Sequence, residues 1–298
     1  MKIIKYFIEF IFITILFIVF KILGYKLASN FGSLIGGLLG PLFRSRKNIL
    51  SNIKRALPDI SEKNQKLIIK RMWKNYGRIL SEYVFIKNFR NSKLEKLLTI
   101  EGQEILNELK NSKEPTVFIS GHFNNFELMA MQIEKSGINL ASIYRPLNNV
   151  FLNKIMERIR KKYICMNQIK KGRSGTRELL EYFKKNYSIA LMIDQRVSEG
   201  IRLNFFGQSA LTTTIPAQLV KKFSCKIVPI YIERINDINF KMVINKPIHF
   251  NKESSIEEIS LDLNKWLEKM ILLNPSQWIW SHDRWKSFIC SLKVIHFL

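Results

Sequence analysis

The stretch TVFISGHFNNFELMAMQIEKS, residues 116–136, reads as a buried strand, a turn and a helix, and its order decides the fold. Residues 116–120 form a short apolar run of strand length, Gly121-His122 ends it, and residues 126–136 read as a helix. The same alternation continues outward. Further candidate strands cover 139–144, 188–193, 226–232 and 240–244, with helical patterns over 151–162, 177–186 and 216–223 between them and over Ile256–Leu273 near the end. Such alternation predicts an α/β fold with a mostly parallel central sheet flanked by helices. Upstream, Ser61 is a plausible N-cap, and Leu67, Ile68, Met72, Tyr76, Ile79, Leu80 and Tyr83 recur at steps of three and four. They predict a long amphipathic helix over 61–86. No long Pro/Ser linker divides the chain, and no repeat occurs at solenoid spacing.

The chemistry is sought first by elimination. Dinucleotide (GxGxxG), P-loop, GxSxG and HExxH signatures are absent, and the four histidines, His122, His249, His282 and His296, have no second His or Cys close by, so no metal site is expected. His122 stands out because it follows a strand and precedes a helix start, where open α/β sheets place their sites. Glu127 lies five positions on. On a continuous helix the two side chains would point about 140° apart. With His122 in the turn, the carboxylate can instead reach Nδ1 and leave Nε2 free to take a proton from a hydroxyl. Spacing alone also admits a capping or packed histidine.

Two more strand ends carry polar groups. Arg145 follows the strand at 139–144 and Asp194-Gln195-Arg196 follows the one at 188–193, which places them on the edge shared with His122. Taken singly, Arg145 also fits a surface ion pair and Asp194 an ordinary loop carboxylate. Arg158 and Arg160, on the next helix, either continue a basic lining or face solvent.

The 298 residues hold 48 Lys+Arg against 24 Asp+Glu, a formal charge of +24, yet 47% are hydrophobic and 21 are Phe. A disordered basic chain lacks that apolar load, so the charge sits on a folded protein and calls for an acidic partner: nucleic acid, an anionic membrane, or a phosphorylated substrate. Residues 6–20 are apolar apart from Glu9, and 27–43 are uncharged and rich in glycine. One membrane-inserted helix over roughly 6–25 is expected, then a segment that packs close or lies in the interface. A signal peptide and a buried core helix are the competing readings; no small-x-small cleavage site follows the run cleanly. Arg44, Arg46, Lys47, Lys54 and Arg55 after the run, against Lys2 and Lys5 before it, orient the bulk of the chain to the cytoplasm. The expected division is 1–45, membrane-inserted or interfacial, and 46–298, a cytoplasmic α/β domain. Cys165, Cys225 and Cys290 are odd in number and far apart, and read as buried free thiols.

Read in order, Gly121-His-Phe-Asn-Asn-Phe-Glu127, Tyr144-Arg-Pro146, Asp194-Gln-Arg196, Phe205-Phe-Gly207, Thr212-Thr-Thr-Ile-Pro216, Val228-Pro-Ile-Tyr231 and Trp278-Ile-Trp-Ser-His-Asp-Arg-Trp-Lys286 resemble the late acyltransferases of lipid A biosynthesis. These enzymes, of lauroyl- and myristoyl-transferring type, belong to the glycerolipid acyltransferase group with an HX4(D/E) motif. The resemblance covers the whole chain. It implies transfer of a fatty acyl group from acyl carrier protein, or from acyl-CoA, to a hydroxyl of a 3-hydroxyacyl chain on a phosphorylated glucosamine disaccharide, with no cofactor. His122 would be the general base and Glu127 its orienting partner. Asn125, Arg145, Arg158 or Arg160, Asp194 and Arg196 would bind substrate or shape the site, and Arg284 would lie near the membrane-facing entrance. The location implied is the cytoplasmic face of a bacterial inner membrane. Anionic membrane and phosphorylated glycolipid then rank first among acidic partners, acyl carrier protein next and nucleic acid last. This chain departs from the family at Asn124, commonly Gly, which bears on the turn after His122, and at Phe126, commonly Trp. A thioester is already activated, so no protein nucleophile is required. Two other functions fit the same features: a related acyltransferase acting on a lysophospholipid or a glycosylated phosphoinositide, and a basic membrane-lipid-binding protein without catalysis.

Overall fold

The computed structural model describes residues 2–286. It opens on α1 (Lys2–Phe43), a 42-residue helix long and apolar enough to cross a membrane. The helix is two rods: Gly24, at φ 73° and ψ 166°, leaves the helical region where a residue without Cβ is least strained. Along the first rod Ile4, Ile8, Phe12, Ile15 and Ile22 are exposed. Glu9, the one acid in this rod, accepts a hydrogen bond from Asn149 Nδ2 at 3.1 Å, and Phe7 and Phe10 pack on Phe151 with ring centroids 5.6 and 5.7 Å apart.

The glycine-rich second rod is helical too, and it explains its composition by what it touches. After α2 (Arg46–Ala56), the helix α3 (Glu62–Glu82) runs back along it with the two backbones in contact. A Cβ added at Gly77 would lie 1.9 Å from the carbonyl oxygen of Gly32, and one at Gly36 would lie 2.4 Å from that of Trp73. One face of the second rod thus packs on α3, with Gly32, Ser33 and Gly40 buried, while Leu34, Leu38, Leu42 and Phe43 are exposed. Ser61 caps α3 as expected, accepting from Asn64 N, but the helix stops at Glu82, short of residue 86. A 3-10 turn, Tyr83–Phe85, and α4 (Ile86–Asn91) follow.

The sheet is built from β1 (Leu98–Glu101), α5 (Gln103–Ser112), β2 (Val117–Ser120), α6 (Glu127–Lys135), β3 (Leu140–Tyr144), α7 (Val150–Tyr163), β4 (Asn167–Lys170), α8 (Arg173–Lys184) and β5 (Ser188–Met192). A hairpin of β6 (Ile201–Phe205) and β7 (Gln208–Thr212) stands apart, and α9 (Ile215–Phe223), β8 (Ile227–Ile235), β9 (Asn239–Ile244) and α10 (Ile256–Leu273) complete the order. The seven-stranded sheet runs β1-β9-β8-β2-β5-β3-β4; the five strands from β8 to β4 are parallel, and β9 turns back antiparallel to β8. This is the mostly parallel α/β sheet expected. All four residues of β2 are buried, as its uncharged sequence requires. Because β2, β5 and β3 are adjacent and parallel, the residues that follow them share one edge, where open sheets form their crevice.

Candidate active site

A cavity of about 780 Å³ opens at this edge. Its inner wall is apolar, with Phe118, Met129, Ile133, Ile143, Ala190 and Met192 contributed by β2, α6, β3 and β5. Its mouth is cationic: Arg44, Arg145, Lys171, Arg196 and Lys286 line it, with Asp283 among them. Partial desolvation, and then the neighbouring Arg145, hold the Lys171 ammonium below its ordinary value. Crowded cations of this kind favour an anionic ligand.

His122 sits where the apolar wall meets the polar mouth. The turn that carries it needs a left-handed residue at Asn124, φ 43°, and asparagine is among the non-glycine residues that enter this region most readily. The departure from Gly therefore preserves the turn. Its backbone N–H donates to Gln277 O at 3.2 Å, and its side-chain amide donates to Gln277 Oε1.

The carboxylate that meets the imidazole is Asp194. Its Oδ1 lies 2.7 Å from His122 Nδ1, and its Oδ2 accepts the His122 backbone N–H at 2.8 Å and Trp278 Nε1 at 2.9 Å. Burial alone pushes this carboxyl up, but the His122 ring and backbone and the Trp278 N–H outweigh it and hold the carboxyl below the usual range. A carboxylate on Nδ1 assigns the proton there and leaves the Nε2 lone pair free. The amide nitrogen of Gln195 is 3.5 Å from Nε2.

Glu127, expected on His122, is turned to α7 instead. Its Oε1 accepts from Arg160 Nε at 2.8 Å and from Nη2 at 2.5 Å, and the Arg160 guanidinium lies over the Tyr144 ring at 5.6 Å. Both residues line the cavity. The physical reason for the switch is the sheet order: β5 lies directly beside β2, so Asp194 emerges opposite His122, while Glu127 begins a helix directed away from it.

The remaining expected residues fall in distinct places. Arg145 is exposed at the mouth and Arg196 lines it, whereas Arg158 is exposed on α7 outside the cavity. Asn125 is buried beneath the turn and donates to Glu82 Oε2 at 3.3 Å. Arg284 does not reach the entrance. It is fully buried, donates to Leu211 O and to Thr212 Oγ1 (2.9 Å), and lies 4.8 Å over the Phe205 ring, tying β7 to the C-terminal block. Cys165 is buried and Cys225 half-buried, both free, while Cys290 and His296 lie outside the described residues. Burial pushes the Cys165 thiol up to about 11.

Nothing in its spacing marks His282 as a site residue, although it lies in the Trp-rich block. Its Nε2 accepts the Arg196 backbone N–H at 3.0 Å. Burial, opposed by Asp194, drives its pKa from 6.5 down to about 4, so the ring stays neutral.

A histidine–carboxylate pair thus stands on a parallel-sheet edge over an apolar cavity with a cationic mouth. The chain belongs to the bacterial lipid A biosynthesis acyltransferases: that family's sequence model matches residues 1–287. It is 22% identical to the Escherichia coli K12 lipid A biosynthesis lauroyltransferase over 291 residues, 95% of this chain and 92% of that protein. It is also 22% identical to the palmitoleoyltransferase of the same strain, over 269 residues (89% and 87%). Identity to the myristoyltransferase of that strain is 19% over 252 residues (83% and 77%). The protein is therefore an O-acyltransferase of lipid A synthesis.

Proposed function

We propose that this protein transfers a fatty acyl group from a thioester, on acyl carrier protein or coenzyme A, to a hydroxyl of an acyl chain on a phosphorylated glucosamine disaccharide. His122 is the general base. The single observation that carries this reading is the 2.7 Å contact of His122 Nδ1 with a buried carboxylate, Asp194, which leaves Nε2 as the acceptor. In the reaction Nε2 takes the acceptor's hydroxyl proton as the oxygen attacks the thioester carbonyl. The tetrahedral intermediate then collapses, the C–S bond breaks, and the proton passes from the imidazolium to the departing sulfur. Asp194 keeps the ring oriented and stabilises its charged form. Gln195 offers a side-chain N–H beside the reacting nitrogen for the oxyanion. Glu127 holds Arg160 at the cavity wall. The acyl chain lies against Phe118, Met129 and Ala190, and the phosphates of the acceptor meet Arg145, Lys171 and Arg196.

The apolar surface of α1 supports a membrane location, and the basic residues from Arg44 to Arg55 support a cytoplasmic-face orientation. Joining both substrates at a membrane surface adds proximity to the base's contribution of about 10²–10⁴-fold.

Mass spectrometry of lipid A from cells carrying His122→Ala in place of the wild-type protein tests the reading. One acyl chain fewer per molecule is expected, together with loss of transfer from acyl-ACP by membranes holding normal amounts of the variant. An unchanged acyl count with full transfer would remove His122 from the chemistry and favour a non-catalytic lipid-binding role.

A further inference from the structure

Beneath the turn that carries His122 lies a further ion pair, which takes no part in the chemistry above. Glu82, at the end of α3, is fully buried, and Arg234, near the end of β8, is nearly so; their side chains are 0% and 6% exposed. The guanidinium meets the carboxylate with both terminal nitrogens, Nη1 on Oε1 at 2.5 Å and Nη2 on Oε2 at 3.0 Å. A buried ion pair is weak evidence for stability, because desolvation offsets much of the attraction. Its geometry suggests a different use.

The pair reaches the turn by one side-chain bond, and the backbone of Arg234 supplies a second route. Glu82 Oε2 accepts Asn125 Nδ2 at 3.3 Å. Arg234's backbone grips the Gln277 amide from both sides, its N–H donating to Gln277 Oε1 at 2.8 Å and its carbonyl accepting Gln277 Nε2 at 3.1 Å. Gln277 in turn accepts Asn124 through both its backbone and side-chain oxygens. So the two residues that shape the turn, Asn124 and Asn125, are each held by a group that Arg234 holds. The pair is also braced from outside: Ser29 Oγ of α1 donates to Glu82 Oε1 at 2.9 Å, and Arg234 donates through Nε to Asn75 Oδ1 at 3.0 Å and through Nη1 to Asp237 O at 2.9 Å.

We infer that Arg234 and Glu82 are positioning residues for acyl transfer, a buried clamp whose side chains fix the His122 turn through Asn125, beside the backbone route from Arg234 through Gln277 to Asn124. The inference rests on His122 being the base. Glu82 and Arg234 touch no substrate; they act by keeping Nε2 at its place on the cavity rim, where a displacement near 1 Å costs on the order of 100-fold in rate.

The test compares Arg234→Lys, which keeps the charge but loses the bidentate fork, with Glu82→Gln, which keeps the shape but replaces one acceptor oxygen by an amide donor and removes the charge. Each is combined with Asn125→Ala and assayed in the full-length membrane enzyme against wild type and His122→Ala. The expected result is kcat lowered about 10- to 100-fold with KM for the acyl donor within about twofold, and Asn125→Ala adding little in either background because all three changes release the same turn. Normal kcat in folded Arg234→Lys and Glu82→Gln overturns the clamp, as does a full multiplicative loss with Asn125→Ala. Should Arg234→Lys not fold, Glu82→Gln with its double variant decides alone. A fully active His122→Ala would instead defeat the base assignment, and so is distinguishable from failure of the clamp.

Discussion

Asp194 grips His122 twice, accepting from the ring at Nδ1 (2.7 Å) and from the same residue's backbone N–H (2.8 Å). The double contact fixes both the rotamer of the imidazole and the position of the chain that bears it. Replacing Asp194 by Asn keeps the shape but presents an amide in place of one acceptor oxygen, so the Nδ1–H tautomer loses its support. Asp194→Asn is expected to lower kcat for acyl transfer by about 10²–10⁴-fold, read with acyl-ACP in membranes. Activity within twofold of wild type would show that this carboxylate does not orient the base.

In the proposed reaction the acyl chain lies on the apolar wall, which then sets what length fits. Ala190, in β5, and Ala130, in α6, both line the cavity and present little more than a methyl group to it. Ala190→Leu is expected to shorten the preferred chain, with kcat/KM for the longest natural donor falling about 10- to 200-fold, the scale on which an apolar pocket discriminates a methylene. Competition between acyl-ACP donors of graded length measures this directly, and an unshifted preference would place the chain elsewhere.

Acid should loosen the rim of the site. Between pH 6.5 and about 4 the unfolded chain protonates His282 while the folded ring refuses the proton, so stability falls as pH falls through this window. A protonated ring would also present a donor to the Arg196 N–H that it now accepts. Asp194, held below the ordinary carboxylate range, contributes stability above that range, and this is lost as pH falls through its folded value. His282→Gln retains an acceptor for Arg196, and its melting temperature should fall less between pH 6.5 and 4 than that of the wild type. Parallel curves for the two proteins would contradict the assignment.

Where α1 meets α3 there is no room for a side chain. Gly77→Val places a Cβ 1.9 Å from the Gly32 carbonyl unless the helices separate. Overpacking of this kind costs about 1–3 kcal/mol and sometimes more, and the melting temperature in detergent should drop accordingly. Unchanged melting would mean that the helices do not touch there.

The strands that carry the site were legible because β2, β3, β5, β8 and β9 are apolar runs of buried-strand length, and their alternation with helices brought His122, Arg145 and Asp194 to one edge. The strands that were not legible are not apolar runs: β1 (Leu98–Glu101) reads Leu-Thr-Ile-Glu and β4 (Asn167–Lys170) reads Asn-Gln-Ile-Lys, and both lie at sheet edges. The β6–β7 hairpin did leave a signal. Ile201, Leu203 and Phe205 alternate with polar residues before a two-residue turn, Phe206-Gly207, with φ of 54° and 70°. The choice of carboxylate was hidden for a different reason. Whether Asp194 or Glu127 meets His122 depends on which strand lies beside β2, and the chain order β2, β3, β4, β5 does not reveal that β5 inserts between β2 and β3. Glu82 and Arg234 are 152 residues apart, with no motif to join them.

The break at Gly24 bears on how the enzyme is made soluble. Cutting the chain at residue 46 would strip α3 of its glycine-lined partner, remove Ser29 from Glu82, and expose a strip of backbone that no detergent headgroup matches. Phe20 is fully buried, and Leu16 and Phe17 pack against the core, so the body begins well upstream of the basic helix. Even a start near residue 16 would cost α7 its contacts with Phe7, Glu9 and Phe10, so a trimmed protein that keeps its working shape must retain most of the first rod.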